Sequence, residues 1–332
     1  MLDLPLIWFG LLFTALFLYV LLDGFDLGVG ILFPFAPSDA SRDVMMNSIA
    51  PFWDGNETWL VLSGGGLLAA FPLAYSILMP ALYMPIIMML LGLIFRGVAF
   101  EFRFKAVRSR FIWDYAFHFG SIVAAFMQGM ILGAYVRGVH VTGRSFAGSA
   151  FDWLSAYSFM TGVALLFGYA LLGSTWLVMK TDGITQGWAR KCGLYVLGYV
   201  GVFMAIVSIS MPIMNSGVKA LWFTLPNFYY LLPVPLLTAV LIFMVWRDLH
   251  RSAERSPFFL SIGIFLMGYI GWGISLWPWL VPFAVTFRQA AAAPSSQSFL
   301  LAGTLAILPL TLGYVAWCYY VFRGKTSGQG YY

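Results

Sequence analysis

Asp23 and Asp26 stand three residues apart at the end of the first apolar run, and Asp54 and Glu57 stand three apart at the start of the second. Residues with that spacing share a helix face. Carboxylates held within membrane helices can pass protons between them. These four are nearly a third of the thirteen acidic residues in the chain. A plainer reading is open beside it. The uncharged stretch from Leu4 to Leu22 already nearly spans a bilayer core of about 30 Å, which would leave the acids at headgroup level as solvated helix ends.

Arg96 lies about five residues inside the expected end of the third run, where an unpaired guanidinium costs several kcal/mol, on the order of the membrane insertion scales. It therefore pairs with Asp54, with Glu57 or with a bound polar ligand; a structural ion pair and a ligand-binding role both remain open. Haem is the cofactor to test in so apolar and aromatic a chain, and its iron normally takes His, Met, Cys or Tyr. The histidines are His118, His140 and His250. His140 and His250 fall in loops on opposite faces, and His118 stands alone near a helix boundary, so no axial pair is suggested. The sixteen methionines are dispersed and read as packing. Cys192 and Cys318, far apart in sequence, suggest neither a disulfide nor a thiolate metal site. No phosphate loop, dinucleotide fingerprint or nucleophile elbow appears.

Hydrophobic residues make up 61% of the 332 and charged residues 9%, against about a quarter charged in a soluble domain. This composition excludes a water-soluble surface. Apolar runs at about residues 5–33, 56–78, 80–100, 114–137, 153–179, 192–214, 227–247, 257–282 and 299–322 predict an all-α polytopic membrane protein of about nine transmembrane helices. The first run has no basic segment before it and no small-residue cleavage motif, so it reads as a retained helix. The expected arrangement is a single transmembrane domain, with two four-helix bundles plus one peripheral helix and pseudo-repeat halves at about 1–140 and 150–285.

The net charge of +5 is distributed unevenly across the membrane, which is not the pattern of a nucleic-acid binder. With the N-terminus outside and the C-terminus cytoplasmic, thirteen basic residues fall inside. Arg137, Arg144, Lys219 and Arg288 fall outside, and Arg96 lies within a span. That asymmetry obeys the positive-inside rule. The run Gly64-Gly65-Gly66 would let a neighbouring helix, or a flat ligand ring, approach the backbone closely.

The motif Leu22-Asp23-Gly24-Phe25-Asp26-Leu27-Gly28-Val29-Gly30, followed by Asn47-Ser48-Ile49-Ala50-Pro51 and Trp53-Asp54-Gly55-Asn56-Glu57, resembles subunit II of the cytochrome bd-type quinol oxidases. Phe95-Arg96-Gly97-Val98-Ala99-Phe100-Glu101-Phe102-Arg103, Gly168-Tyr169-Ala170-Leu171-Leu172-Gly173, Trp176-Leu177 and Lys180-Thr181-Asp182-Gly183 extend the resemblance over more than half of the chain. With its tight loops, the chain is similar to the branch often called cyanide-insensitive oxidases.

The resemblance implies a complex of the bacterial cytoplasmic (inner) membrane that oxidises quinol, reduces dioxygen to water and generates a proton motive force. It implies haem b and haem d, or b-type variants, in a partner subunit I, with none ligated here and no catalytic residue in this chain. A small single-helix subunit is a further implied partner. By the same analogy Asp54, with Trp53 and Arg96, falls on a motif lining a cytoplasmic proton-uptake region and, in some members, a structural quinone site. Trp59 would line an oxygen route. Two rivals stand against this expectation. A proton-coupled secondary transporter would place its ionisable cluster nearer the midplane, and a pure scaffold would leave the acids as solvated ends.

Overall fold

Asp3 caps the first helix by accepting a hydrogen bond from the Leu6 amide at 3.3 Å, and Pro5 occupies the first turn, where its missing N–H costs nothing. The computed structural model describes residues 3–326. In chain order the helices are α1 (Leu4–Leu32), α2 (Asp39–Ile49), α3 (Trp53–Ala70), α4 (Pro72–Arg103), α5 (Arg110–Arg137) and α6 (Ala156–Lys180). After these come α7 (Gly183–Met214), α8 (Ser216–Phe223), α9 (Asn227–Leu231), α10 (Pro233–His250), α11 (Ser256–Leu276), α12 (Phe287–Ala290) and α13 (Pro294–Val321). Two small antiparallel hairpins, β1 (Val141–Thr142) with β2 (Ser145–Phe146) and β3 (Trp279–Val281) with β4 (Val285–Thr286), close two of the connections.

Among the described residues, eight helices are long and apolar enough to cross a membrane. The ninth expected span is α3. It is 18 residues long and opens on the polar turn Trp53-Asp54-Gly55-Asn56-Glu57, which removes it from that group. The break between the second and third spans also differs from the expected position near Pro80. It falls at Phe71, whose φ of −137° and ψ of 60° are non-helical and which precedes Pro72. A residue before proline is pushed out of the helical region by the ring. Pro80 and Pro85 instead lie inside α4, which runs unbroken for 32 residues, as membrane helices tolerate where neighbours compensate. Helix α7 begins at Gly183, well before the expected 192, and α11 stops at Leu276 ahead of Trp277 and Pro278.

Helices α1, α3, α4 and α5 contact one another, as do α6, α7, α10 and α11, and α6 also packs along α1 and α5. Without a hydrophobic driving force between helices in lipid, small residues let backbones approach. Gly28 of α1 faces Gly173 of α6 so closely that a Cβ on Gly28 would lie 1.8 Å from the Tyr169 carbonyl oxygen. Gly92 of α4 and Gly120 of α5 make a second such crossing, with an added Cβ 2.7 Å or less from the opposite carbonyl oxygen in each direction. Of the run Gly64-Gly65-Gly66 on α3, a Cβ on Gly64 or Gly65 would meet no atom within 4 Å, whereas one on Gly66 would lie 2.4 Å from Leu12 Cδ2 of α1.

The contacts sort the helix ends into two sets. At one end Arg288 pairs with Asp3 at 2.5 Å, and Trp8 Nε1 donates to the Gln297 carbonyl at 3.1 Å. At this same end the Ala70 carbonyl accepts from the Ala292 amide at 2.9 Å and from Gln297 Nε2 at 3.1 Å. At the other end Arg103, buried, holds Asp43 of the α1–α3 connection at 2.7 Å and Asp114 of α5 at 2.5 Å, while Arg110 also pairs with Asp43. Here too the chain after α13 is clasped. Lys180 Nζ donates to the Gly324 carbonyl at 2.6 Å and to that of Phe322, and the Thr326 amide donates to the Lys180 carbonyl at 2.7 Å. Lys325 pairs with Asp182 at 2.5 Å and Glu254 at 3.0 Å. Hydrogen bonds from Lys325 and then Gln186 hold the exposed Glu254 below the usual carboxylate range.

Candidate functional site

Asp23 and Asp26 occupy α1 nine and six residues before its last residue, so Asp23 lies about 13 Å of helical rise inside that end. Both are buried, at 1% and 0% exposure, and neither is a solvated helix end. The sequence around them dictates this: Gly24, Gly28 and Gly30 remove the side chains that would hold α5 and α6 away. Gly24 receives the Tyr169 ring, and Gly30 receives Ser121.

Arg96 reaches this pair from α4 and is wholly buried. One nitrogen, Nη2, bridges Asp23 Oδ1 at 2.6 Å and Glu57 Oε1. The arginine therefore joins α1, α3 and α4, and its partners are Asp23 and Glu57, not Asp54. Asp26 is held separately: Asn56 Nδ2 donates to its Oδ2 at 2.7 Å and to the Leu22 carbonyl at 3.1 Å. The Tyr319 hydroxyl of α13 donates to Asn56 Oδ1 at 2.9 Å, which carries the cluster across to the outermost helix. Burial of one cation with three carboxylates is tolerable only with such bonding.

The cluster is graded in exposure. Asp54 is exposed in the first turn of α3, and Glu57, one turn on, keeps 24% of its side chain accessible. Beyond Glu57 come the buried Arg96 and Asp23. Trp53 is half-buried and stacks on Phe100 with ring centres 4.9 Å apart, its ring also covering Gly97. Arg96 therefore sits behind Trp53 and turns inward to two carboxylates. Trp59 is buried at 2% exposure against Ala15 and Tyr19. Sequence reasoning grouped Asp23, Asp26, Asp54 and Glu57 and offered Arg96 the partners Asp54, Glu57 or a ligand; it missed Asp23 as a partner of Arg96 and Asn56 as the link to Asp26. Its place inside the Trp53–Glu57 motif was the available signal.

The three histidines form no bis-histidine haem site. His118 Nδ1 bonds the Gly30 carbonyl at 3.0 Å, His140 pairs with Asp152 at 3.1 Å in the exposed hairpin, and His250 Nδ1 bonds the Trp246 carbonyl at 2.8 Å. No two of them face a common space, and among the described residues no group of His, Cys, Asp and Glu could hold a metal ion. Cys192 and Cys318 are free thiols, the latter donating to the Pro51 carbonyl at 3.3 Å.

Comparison with known proteins identifies the family and the fold. The chain is 30% identical over 333 residues to cytochrome bd ubiquinol oxidase subunit 2 of Bacillus subtilis (strain 168), covering 97% of this chain and 96% of that one. It is 29% identical over 360 residues to cytochrome bd-I ubiquinol oxidase subunit 2 of Escherichia coli (strain K12), covering 97% and 95%. Its fold matches a chain of the bd oxidase from Geobacillus thermodenitrificans with a TM-score of 0.74 at 15% identity, over 97% of this chain and 99% of that one. The profile of cytochrome bd terminal oxidase subunit II matches residues 4–322. A multi-pass membrane architecture and near full-length similarity place this chain in the cytochrome bd terminal oxidase subunit II family, part of a respiratory quinol:oxygen oxidoreductase of the bacterial cytoplasmic membrane.

Proposed function

We propose that this subunit supplies protons to its oxidase along the graded acids of α1 and α3. The observation that carries the reading is the order of exposure: Asp54 outermost, Glu57 partly accessible, Asp23 fully buried, with Arg96 bridging the last two. Asp54 acts as the collecting carboxylate at the surface. Glu57, a turn further along α3, passes the proton inward, and Arg96 keeps Asp23 and Glu57 within reach of each other. Charge on a carboxylate at such depth is costly without a cation beside it, so the arginine lowers the barrier to having either acid ionised.

Haem belongs to the complex, mainly to its subunit I, which is the natural partner of this chain. We assign haem b and haem d, or b-type variants, to that partner and no step to haem here. A single-helix subunit is a further partner in this reading. A quinone headgroup at Trp53 and Asp54 would meet the outer face of the cluster and not Arg96, which is sealed behind it. Trp59, deep between α1 and α3, is the position through which oxygen access is assigned. Family membership leaves the transporter reading without support.

Asp54→Asn and Glu57→Gln in the intact oxidase are each expected to slow quinol-dependent oxygen uptake several-fold while haem per complex stays at the wild-type level. A scaffold role predicts that activity and haem fall together, and that result would remove the proton-supply reading. Orientation follows the charge asymmetry, with the N-terminus outside. In support of this reading, Asp3 and Lys325 make their contacts at opposite ends of the bundle. A reporter fused after α13 is expected to be active only if its activity requires the cytoplasm; activity in a reporter that matures outside would reverse the orientation.

A further inference from the structure

We propose that residues 322–326, which follow α13, are a lock on the acid cluster: closed on Lys180, they hold Tyr319 against Asn56, and Asn56 orients the Asp26 carboxyl. Tyr319 and Lys180 are then positioning residues for the proton supply assigned above. The inference rests on that reading and extends it to the ends of α6 and α13, which carry no acid of the cluster. Tyr319 donates its hydroxyl proton to Asn56 Oδ1 at 2.9 Å, and Asn56 Nδ2 donates to Asp26 Oδ2 at 2.7 Å and to the Leu22 carbonyl at 3.1 Å. Among the described residues Asn56 is the one hydrogen-bond donor to Asp26, whose Oδ1 is buried and unpartnered.

The Tyr319 hydroxyl decides which way the Asn56 amide faces. An amide carries two N–H donors on one side and an acceptor oxygen on the other, and its terminal torsion is broad. With the hydroxyl in place the oxygen has its donor, and both N–H groups turn to the two acceptors, Asp26 and the Leu22 carbonyl. Without it, Asn56, at 1% exposure, keeps a buried oxygen that nothing satisfies, which is costly at this depth. Tyr319 is itself held by its ring and by the chain that follows it. The ring stacks on Phe52 with centres 4.4 Å apart, and Lys180 Nζ stands over the Phe52 ring at 5.7 Å and the Trp176 ring at 5.4 Å. Lys180 is buried at 4% exposure, and its polar partners among the described residues are the carbonyls of Gly324, at 2.6 Å, and of Phe322, three residues after Tyr319. No carboxylate pairs with it there. A buried ammonium needs acceptors and the carbonyls at a helix end need donors, so the cation and the closed segment depend on each other. Lys325 fastens the same segment from its exposed side, on Asp182 and Glu254. The charged groups of the cluster are Asp23 and Asp26 on α1, Glu57 on α3 and Arg96 on α4; α13 brings the neutral Tyr319 and Cys318.

The test uses the intact oxidase carrying Tyr319→Phe, Lys180→Met and both together, with Asp26→Asn as reference. Tyr319→Phe keeps the ring on Phe52 and removes only the hydroxyl. The expected result is a several-fold loss of quinol-dependent oxygen uptake in each single variant at unchanged haem content, with the pH profile of the rate displaced alike in both. The double variant should be no slower than Tyr319→Phe, because Lys180 acts through that hydroxyl, whereas independent structural defects multiply. Lys180→Arg, still able to donate to both carbonyls, should recover most of the rate. If Lys180→Met leaves no assembled oxidase, Lys325→Ala opens the same clasp from outside and takes its place in the comparison. A wild-type rate and pH profile in either single variant, or multiplying losses in the double one, would overturn the proposal while leaving proton supply by Asp54 and Glu57 intact. Wild-type turnover in Asp26→Asn would overturn it too, whereas wild-type turnover in Asp54→Asn and Glu57→Gln would remove the reading on which it rests.

Discussion

Arg96→Ala is expected to abolish accumulation of the assembled oxidase, or to reduce it to a small fraction. The substitution leaves Asp23 and Glu57 facing each other across α1 and α3 with no cation between them, one fully buried and the other mostly so. Breaking a buried ion pair from one side costs about 3–5 kcal/mol because the remaining charge is uncompensated. That approaches the whole stability of an ordinary domain, which is about 5–15 kcal/mol. Removing the stranded charges should restore what the arginine provided. Arg96→Ala combined with Asp23→Asn and Glu57→Gln is expected to recover much of the complex, measured as haem-bearing oxidase extracted from the membrane, though with low turnover. Arg96→Lys should recover less, because one guanidinium nitrogen holds both carboxylates in a planar fork that an ammonium on a flexible stem does not reproduce. Arg96→Ala at wild-type abundance would refute the claim that this bridge ties α1, α3 and α4 together.

Gly28→Val is the second large effect, and its cause is steric. The Cβ alone would stand 1.8 Å from the Tyr169 carbonyl oxygen, 2.7 Å from its carbonyl carbon and 2.8 Å from the Gly173 amide nitrogen, and all three are backbone atoms that cannot rotate aside. Helices α1 and α6 must separate along their length. Overpacking of this kind costs about 1–3 kcal/mol where side chains can adjust, and more is expected here. The thermal midpoint of the solubilised complex should fall sharply. Because Tyr169 lies in this crossing, its bond to Gln128 should be lost as well. Gly10→Ala is the control: nothing lies within 4 Å of the added carbon, and no change is expected. Equal midpoints for the two variants would show that the crossing does not hold the bundle.

The membrane class and most of the helices were legible from apolar run length alone, since the bilayer allows few ways to satisfy backbone groups. The second and third spans were placed less well. Pro80 looked like the boundary, but the residue that leaves the helical region is Phe71, ahead of Pro72, and hydropathy does not distinguish one proline from another in an apolar stretch. The acid cluster was visible because its members sit in two short motifs. Its pairing was not. Arg96 was expected to pair with Asp54 or Glu57 of α3 or with a ligand, and only the packing of three helices brings in Asp23 of α1 and leaves Asp54 out. The hydrogen bonds from the Tyr169 hydroxyl to Gln128 Oε1 and from Gln128 Nε2 to the Tyr19 hydroxyl were invisible for a related reason: the partners stand 41 and 109 residues apart in sequence and lie on three different helices.

The clasp formed by residues 322–326 bears on the order in which the molecule is made. Those residues leave the ribosome after every helix they secure, and they close on Lys180, Asp182 and Glu254, which are by then long inserted. Among the candidate spans α13 has the smallest share of buried residues, and it bonds Pro51 and Asn56 through Cys318 and Tyr319. Tyr319 is made after both Asn56 and Asp26, so the Asp26 arm of the acid cluster is completed only once α13 is in place. A nascent subunit in the bilayer therefore carries an unfinished polar core until α13 and the residues just after it have arrived, which gives quality control a late structural difference to read.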